Sequence, residues 1–276
     1  MRPRIHHLNC GTMCPACMNL VNGAGGWFRR GKLVSHCLLV ESSNGLVLID
    51  TGLGQKDVSE RKRRLSAAYR TLFRPQLMLE ETALSQVRAL GHDPRDVRHV
   101  VVTHLDADHA GGLADFPEAK VHVFRPELEH IRNPTKSDRQ RFSFAQFEHD
   151  PKWVEHEEGG DTWFGFSSIR AIPGVDAEIL LIPLVGHSRG HTGVAVKRGD
   201  KWLMHCGDAY YHHSQLTDEP KSRPFMDFFE WYVQSIPKAR IENQRRLREL
   251  AANHRADIDL FCAHDPVEFE RCVSNG

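Results

Sequence analysis

Short apolar runs alternate with polar segments along the chain, and most of these runs have the composition of β-strands. Each is rich in Val, Ile or Leu, which favour a pleated and half-buried backbone. The predicted strands are residues 33–40, 46–49, 97–102, 121–124, 169–172, 179–184, 193–196, 202–205 and 258–262. Strands therefore dominate the prediction, and helices are expected between them.

Two segments have helical patterns. Spaced apolar residues over 83–90 stop at Gly91, and residues 236–254 are rich in Arg, Glu, Leu and Ala. The first four strands precede residue 125 and the others follow residue 165, with a polar crossover over 126–165. This order resembles two sheets packed face to face with helices outside, an α/β fold. A length of 276 residues with 40% hydrophobic content favours a single domain over residues 1–276.

Charge and composition exclude several classes of function. Lys and Arg total 36 and Asp and Glu total 36, so no global positive field attracts nucleic acid or an anionic membrane. No apolar run approaches the length that spans a bilayer, and the first residues lack the apolar core of a secretory signal. We expect a cytoplasmic protein that acts on a small molecule.

Seven cysteines occur in the chain, an odd number that fits reduced thiols better than a disulfide framework. Only Cys14 and Cys17 have a suggestive spacing, C-x-x-C, and we interpret both as packing residues. Cys206 and Cys262 stand in apolar runs and are predicted to be buried.

Four side chains that can bind metal ions stand within six residues, directly after the predicted strand 97–102. They are His104, Asp106, Asp108 and His109, and two glycines follow at 111 and 112. Imidazole and carboxylate bind divalent Zn, Mn, Fe or Co, and glycines let a loop fold such side chains around one point. The pattern predicts a metal site at the end of a strand.

Three more candidate ligands follow later strands. They are His187, Asp208 and His264, and each comes shortly after an apolar run. Loops at the ends of strands meet at one edge of a sheet, so these side chains can join the first four in one site.

These motifs resemble the metallo-β-lactamase superfamily over nearly the whole chain. The H-x-H-x-D-H signature of that family appears here as His104-x-Asp106-x-Asp108-His109, and the turn 48–52 matches its early D-x-G turn. The resemblance implies a four-layer αββα sandwich with two metal ions at one edge. It implies metal 1 bound by His104, Asp106 and His187, metal 2 bound by Asp108, His109 and His264, and Asp208 between them.

Within this family the pattern is most similar to the N-acyl homoserine lactonase-like branch, which has a Tyr three residues after the bridging Asp. Tyr211 stands at that position and would contact the substrate carbonyl. We expect a metal-bridging hydroxide to attack a lactone or carboxylic ester, with Asp108 or a metal-bound water passing a proton to the leaving alkoxide. The resemblance also suggests a homodimer.

Asp106 departs from the pattern, because most hydrolytic relatives have His there. The carboxylate makes the metals weaker Lewis acids and tilts metal 1 from Zn, the favoured ion, towards Mn or Fe. Oxygen-reducing members of the family carry an acidic residue at this place, so an iron-dependent redox enzyme is one alternative. A phosphodiesterase or phosphotriesterase is another, and a sensor that binds metals without turnover is a third.

Other polar residues receive supporting roles. Asp50, Thr103 and His191 are expected to orient the metal ligands. Lone histidines are more often structural than ligating, and this is our interpretation of His6, His7, His205, His212 and His213.

Two basic segments, 56–74 and 238–248, are interpreted as solvated helix faces. The alternative is a lid whose arginines attract an anionic substrate or product. Aromatic residues in segments 13–28, 56–78 and 220–236 are expected to shape an apolar substrate cleft.

Overall fold

A computed structural model of the protein describes residues 3–172, 175–217, 219 and 223–275. Its first sheet has six strands in the order β1-β2-β3-β4-β5-β6. These are β1 (Ile5–Asn9), β2 (His36–Ser42), β3 (Gly45–Ile49), β4 (Val97–Val101), β5 (Lys120–Phe124) and β6 (Lys152–His156). The first three strands are antiparallel, and β3 to β6 run parallel.

A small hairpin, β7 (Thr162–Trp163) and β8 (Phe166–Ser167), leads to the second sheet. That sheet has the order β13-β12-β11-β10-β9. Its strands are β9 (Ile169–Arg170), β10 (Ile179–Pro183), β11 (Thr192–Arg198), β12 (Lys201–His205) and β13 (Ile258–Phe261). Only β12 and β13 are parallel neighbours in this sheet.

The helices lie in the connections and at the end of the chain. They are α1 (Met18–Asn22), α2 (Gln55–Ser59), α3 (Arg61–Arg64), α4 (Ala67–Leu72), α5 (Ala83–Ala89), α6 (Ala107–Ala110), α7 (Arg125–Arg132), α8 (Asp138–Arg141), α9 (Pro224–Val233), α10 (Pro237–Asn253) and α11 (Pro266–Asn275). None of the helices in the described ranges is both long and apolar enough to cross a membrane.

Three apolar clusters show how the layers pack. Between the sheets, Leu38 and Ile49 of the first sheet share a buried cluster with Leu181 and Val194 of the second. On the outer face of the first sheet, α5 and α7 pack over strands β2 to β5, and on the outer face of the second, α10 covers β10 to β13. This is the predicted αββα sandwich, in which both faces of each sheet are covered.

All nine predicted strands are present, with ends shifted by a few residues, and the predicted helices 83–90 and 236–254 correspond to α5 and α10. The first strand was not predicted, because His6, His7 and Asn9 make β1 a polar edge strand. The crossover 126–165 is also more regular than expected, since it contains α7, α8, β6 and β7. Because this segment is rich in charged residues, its sequence did not show the pattern of the helices.

Candidate metal centre

Loops at the ends of four strands carry the candidate ligands. The turn after β4 carries His104, Asp106, Asp108 and His109, and the loops after β10, β12 and β13 carry His187, Asp208 and His264. All seven residues are buried except Asp106 and Asp108, whose side chains are 16% and 13% exposed. The structure therefore brings every predicted ligand to one edge of the sandwich.

Asp208 lies in the middle of this group. Its Oδ1 is 3.2 Å from His109 Nε2 and 3.0 Å from His264 Nε2. Its Oδ2 is 3.5 Å from His187 Nε2 and 3.9 Å from His104 Nε2. Each oxygen thus faces a different pair of histidines, which is the arrangement that a bridging carboxylate needs.

The donor atoms form two compact sets that fit metal ions. In each of the sets His104, His187, Asp208 and Asp108, His109, His264, the candidate ligand atoms lie within 4.8 Å of one another. Two of these atoms, His104 Nε2 and Asp208 Oδ1, are buried and have no hydrogen-bond partner. Since an unpaired buried polar atom costs free energy, a cation in the first set would satisfy His104 Nε2 and a cation in the second would satisfy Asp208 Oδ1.

Histidine Nδ1 atoms on the far side of the rings are held by other groups. Asp50 Oδ2 is 2.8 Å from His109 Nδ1 and also accepts a hydrogen bond from Thr103 Oγ1 at 2.7 Å. Val34 O lies 2.7 Å from His264 Nδ1. These contacts leave the Nε2 atoms directed at Asp208, and Asp50 and Thr103 have the orienting position that the sequence predicted.

His191 is placed behind the ligands rather than among them. Its Nδ1 lies 3.1 Å from Leu184 O, and its Nε2 accepts a hydrogen bond from the backbone N–H of Asp208 at 2.9 Å. Both ring nitrogens are therefore occupied, and the ring fixes the loop that carries Asp208.

Asp106 lies beside the first set of ligands, but its carboxylate is paired with Arg141. Arg141 Nε and Nη2 donate to its two carboxylate oxygens at 2.7 Å each. The same Oδ2 lies 3.0 Å from His187 Nε2 and 3.4 Å from His104 Nε2. Asp106 is thus close enough to share in binding a metal ion, but both oxygens already accept charge-assisted hydrogen bonds.

Arg141 is the main residue that sequence analysis missed. It ends α8, and its Nη1 donates to the carbonyl oxygens of His187 and Val233 at 2.9 and 2.7 Å, while Nη2 lies 2.8 Å from His187 Nε2. Burial alone would lower its pKa, but the Asp106 carboxylate outweighs this and raises it. A permanent positive charge therefore stands beside the first set of ligands. Nothing in the polar crossover 126–165 distinguished this residue from Arg132 and Arg139.

Neighbouring charges also shift the pKa values of the acidic and basic side chains of the site. Burial would raise the pKa of Asp106, but Arg141 holds it well below its usual range. Burial and the Arg141 charge lower the pKa of His187 to about 4. Asp106 is therefore ionised and His187 neutral at pH 7, which are the forms that ligate metal ions.

Tyr211 is buried beside the bridging carboxylate. Its hydroxyl donates to Asp208 Oδ2 at 2.8 Å and lies 3.2 Å from His187 Nδ1. Burial and the Asp208 charge raise its pKa well above the usual value, so the phenol stays protonated. The predicted substrate-contacting phenol is thus at the site, with its proton directed at Asp208.

A second missed residue, Glu127 on α7, ties two ligand loops together. Its Oε1 accepts a hydrogen bond from the N–H of Leu105 at 3.1 Å, and its Oε2 accepts one from Ser188 Oγ at 2.6 Å. Because Leu105 and Ser188 each adjoin a candidate ligand, this fully buried carboxylate fixes the spacing of His104 and His187.

Aromatic residues from the predicted cleft segments pack beside the site. Met13, Phe73, Phe225 and Phe229 share an apolar cluster with Tyr211. Other aromatics of these segments are exposed, namely Trp27, Phe28, Phe228, Trp231 and Tyr232. Residues 220–222 of the third segment lie outside the described residues.

The remaining cysteines and histidines lie outside the two ligand sets. All seven cysteines are unpaired, and Cys206 and Cys262 are buried as predicted. The histidines interpreted as structural make other contacts: His6 with Glu41, His7 with His36, His205 with His36 O, His212 with Ser214 and His213 with Asp265.

Known proteins resemble this chain along most of its length. A probable metallo-hydrolase of Mycobacterium tuberculosis is 41% identical over 265 residues, which cover 95% of this chain and 80% of that protein. An N-acyl homoserine lactonase of Bacillus thuringiensis is 25% identical over 247 residues, covering 88% of this chain and 86% of that one.

A solved structure gives the same fold. An N-acyl homoserine lactone hydrolase with N-hexanoyl-L-homoserine bound at its catalytic metal centre superposes with a TM-score of 0.72 at 20% identity, over 99% of this chain and 97% of the other. The family model for the metallo-beta-lactamase superfamily matches residues 30–247. With the layered fold, the clustered ligands and these matches together, the chain belongs to the metallo-β-lactamase superfamily of metal-dependent hydrolases.

Proposed function

We propose that this protein is a dinuclear metal-dependent hydrolase that opens lactones or cleaves carboxylic esters. The observation that carries the proposal is the position of Asp208, whose two oxygens face two different histidine pairs. The similarity to an N-acyl homoserine lactonase over 88% of the chain supports the choice of a lactone or ester carbonyl.

The residues divide into two metal sites. His104, His187 and Asp208 would hold the first ion with Asp106 beside them, and Asp108, His109 and His264 would hold the second with Asp208 between. Zn is the favoured metal and Mn or Fe the alternatives, especially at the Asp106 site. When bound, two divalent ions supply a hydroxide nucleophile near neutral pH and polarise the substrate carbonyl.

Tyr211 and Asp108 would manage the proton and the developing charge. The Tyr211 phenol is protonated and rigidly held, so it can turn its hydrogen bond from Asp208 to the carbonyl oxygen as negative charge develops there. Asp108 is partly exposed, so its carboxylate would take up the proton released when the nucleophile adds to the carbonyl and would pass it to the leaving alkoxide. Burial and the nearby Asp108 charge raise the pKa of the Tyr69 phenol well above its usual value, and its hydroxyl donates to Met13 Sδ at 3.1 Å.

The test is an assay of purified, metal-loaded protein against acyl homoserine lactones and aryl carboxylic esters, with Asp208→Ala as the control. The proposal predicts turnover by the native protein that falls by about 10³-fold or more in the variant, because a hydrolase without its metal-held nucleophile loses most of its rate enhancement. Equal rates for the two proteins would remove the proposal.

Cleavage of a phosphodiester or phosphotriester is the second candidate. It is favoured by four arginines without carboxylate partners in the described residues, Arg30, Arg61, Arg70 and Arg74, which line one cavity. Hydrolysis of bis-aryl phosphates without hydrolysis of lactones would select this reaction instead.

A further inference from the structure

Part of the basic segment 56–74 borders a cavity beside the metal centre. The cavity has a volume of 640 Å³ and is open to solvent. Its lining includes Arg30, Arg61, Arg70, Arg74, Cys14 and Leu77. We call this the arginine cavity. Four guanidinium groups around one space are a notable concentration of positive charge in a chain of net charge zero.

None of these four arginines forms an ion pair with a carboxylate in the part of the chain that the structure describes. Two other arginines of the basic segment 56–74 do: Arg63 pairs with Glu60, and Arg64 pairs with Asp57 at 2.7 Å. Within the basic segment, some arginines therefore pair with carboxylates and others do not. Like charges repel, so a free cluster is stabilised when an anion enters it.

The backbone that forms the cavity wall is strained. Arg74 and Leu77 have φ angles of 49° and 55°, in the left-handed region that non-glycine residues seldom adopt. The segment is held there because Cys14 N donates to Phe73 O at 2.8 Å and Gln76 N donates to Thr12 O at 2.9 Å. Strain of this kind concentrates at ligand-binding sites, where it is maintained by surrounding structure.

Two apolar clusters connect the arginine cavity with the metal centre. Leu77 packs in one apolar cluster with Ala107, which stands between Asp106 and Asp108 in the sequence. Cys14 follows Met13, whose cluster contains Tyr211. The cavity and the metal centre are therefore neighbours in the fold, with the side chains of these two clusters between them.

We propose that the arginine cavity is a binding site for a phosphate group carried by the substrate. This identification of the substrate class rests on the proposed function. Guanidinium groups bind phosphate through paired N–H donors, and a phosphate carries more charge and more acceptor oxygens than a carboxylate does. Four guanidinium groups without carboxylate partners therefore fit a phosphate better than a singly charged carboxylate.

The experiment is a calorimetric titration of the metal-loaded protein with inorganic pyrophosphate, and with acetate as the carboxylate probe. The test variant is Arg30→Gln/Arg61→Gln, in which both altered side chains are exposed. The matched control is Arg255→Gln, which removes an exposed arginine that lies outside the cavity lining. We expect pyrophosphate to bind, at least a tenfold loss of affinity in the double variant, no loss in the control and no measurable acetate binding.

Phosphate oxygens also bind metal ions directly, so the titration is repeated with Asp208→Ala. Pyrophosphate binding that persists in Asp208→Ala and weakens in the double variant supports the cavity. Absence of binding, or binding that the double variant leaves unchanged, overturns the proposal. If pyrophosphate binds as expected but no ester or lactone is cleaved, the site stands and the proposed hydrolysis fails, so the two failures are distinguishable.

Discussion

The two halves of the metal centre share Asp208 but differ in their surroundings. Asp108, His109 and His264 contact no Arg or Lys side chain within the described ranges, whereas His187 and Asp106 both contact Arg141. Five His and two Asp ligands with two divalent ions and one hydroxide carry a formal charge of about +1, and Asp in place of one His lowers it to about 0. Arg141 returns the local total to about +1.

This difference changes the expected effect of Asp106. The extra carboxylate was predicted to weaken both metals as Lewis acids, but Arg141 offsets its charge and occupies its oxygens. The cation also lies beside the first ligand set and not the second. We therefore expect the first ion to bind more weakly than the second, although its ligand set is equally compact.

Removal of the shared ligand should have the largest effect. Asp208→Ala takes one ligand from each half, so both ions should bind at least about 100-fold more weakly. Loss of a group that only orients a ligand already lowers metal affinity by up to about 100-fold. Elemental analysis after dialysis measures this as a fall from two ions per chain to less than one. Asp200→Ala, at an exposed position, is the control and should keep both ions. Two retained ions in Asp208→Ala would show that the halves do not share this ligand.

Arg141→Met should have opposite effects on the metal-free protein and on binding of the first ion. Without metal, the variant should be less stable by about 3 kcal/mol, because it leaves the Asp106 carboxylate without its partner. With metal, the first ion should bind about tenfold more tightly, since the competing cation is gone. Denaturant unfolding and metal titration measure the two effects.

Arg141→Lys provides the matched control for charge. It keeps the positive charge and loses the paired hydrogen bonds, so it should not tighten the first ion. Weaker binding of the first ion in Arg141→Met would mean that Arg141 organises this half of the centre rather than competing with the metal.

Asp50→Asn should weaken the second half selectively. The amide can still hydrogen-bond to Thr103 but no longer places a negative charge against His109 Nδ1. Loss of such a supporting carboxylate lowers metal affinity by about 10- to 100-fold. A competition titration with a chelator should show the change in the second ion, and an equal loss of both ions would contradict the separation of the halves.

Histidines away from the centre should govern acid stability without affecting metal content. His122 lies 2.9 Å from His99 and 3.0 Å from His156, and burial followed by these neighbours lowers its pKa to about 3. The unfolded chain binds this proton below about pH 6.5, whereas the folded chain does so only near pH 3, so stability falls as the pH falls between these values.

Metal-free His122→Gln should therefore lose about 2 to 3 kcal/mol less than the native chain when the pH is lowered from 6.5 to 4.5. Urea unfolding at the two pH values measures the difference. An unchanged difference between native and variant would show that His122 is not the group that titrates.

The sequence predicted the ligands better than their environment, for a physical reason. Each candidate ligand follows a buried strand, and apolar runs of Val, Ile and Leu are visible in the sequence. Arg141 and Glu127 lie in a polar crossover, where a functional charge looks like a solvated one. Their importance depends on long-range contacts with Asp106 and Ser188, which no local pattern contains.

The basic segment 56–74 illustrates the same limit at finer scale. It was interpreted as a solvated helix face, with a role near the site as the alternative. Arg63 and Arg64 are paired with acidic side chains, and Arg64 is buried rather than solvated, while Arg61, Arg70 and Arg74 line an open cavity. Only the fold separates them, because Arg61 stands nearer to Asp57 and Glu60 in the sequence than Arg64 and Arg63 do and yet pairs with neither in the described residues.

The most direct test of the shared carboxylate is anomalous scattering from crystals of the metal-loaded protein, recorded at the absorption edge of the metal found by elemental analysis. We expect two peaks per chain, one among His104, His187 and Asp208 and the other among Asp108, His109 and His264. One Asp208 oxygen should ligate the metal ion at each peak. A single peak, or two peaks of which one does not contact Asp208, would contradict this expectation.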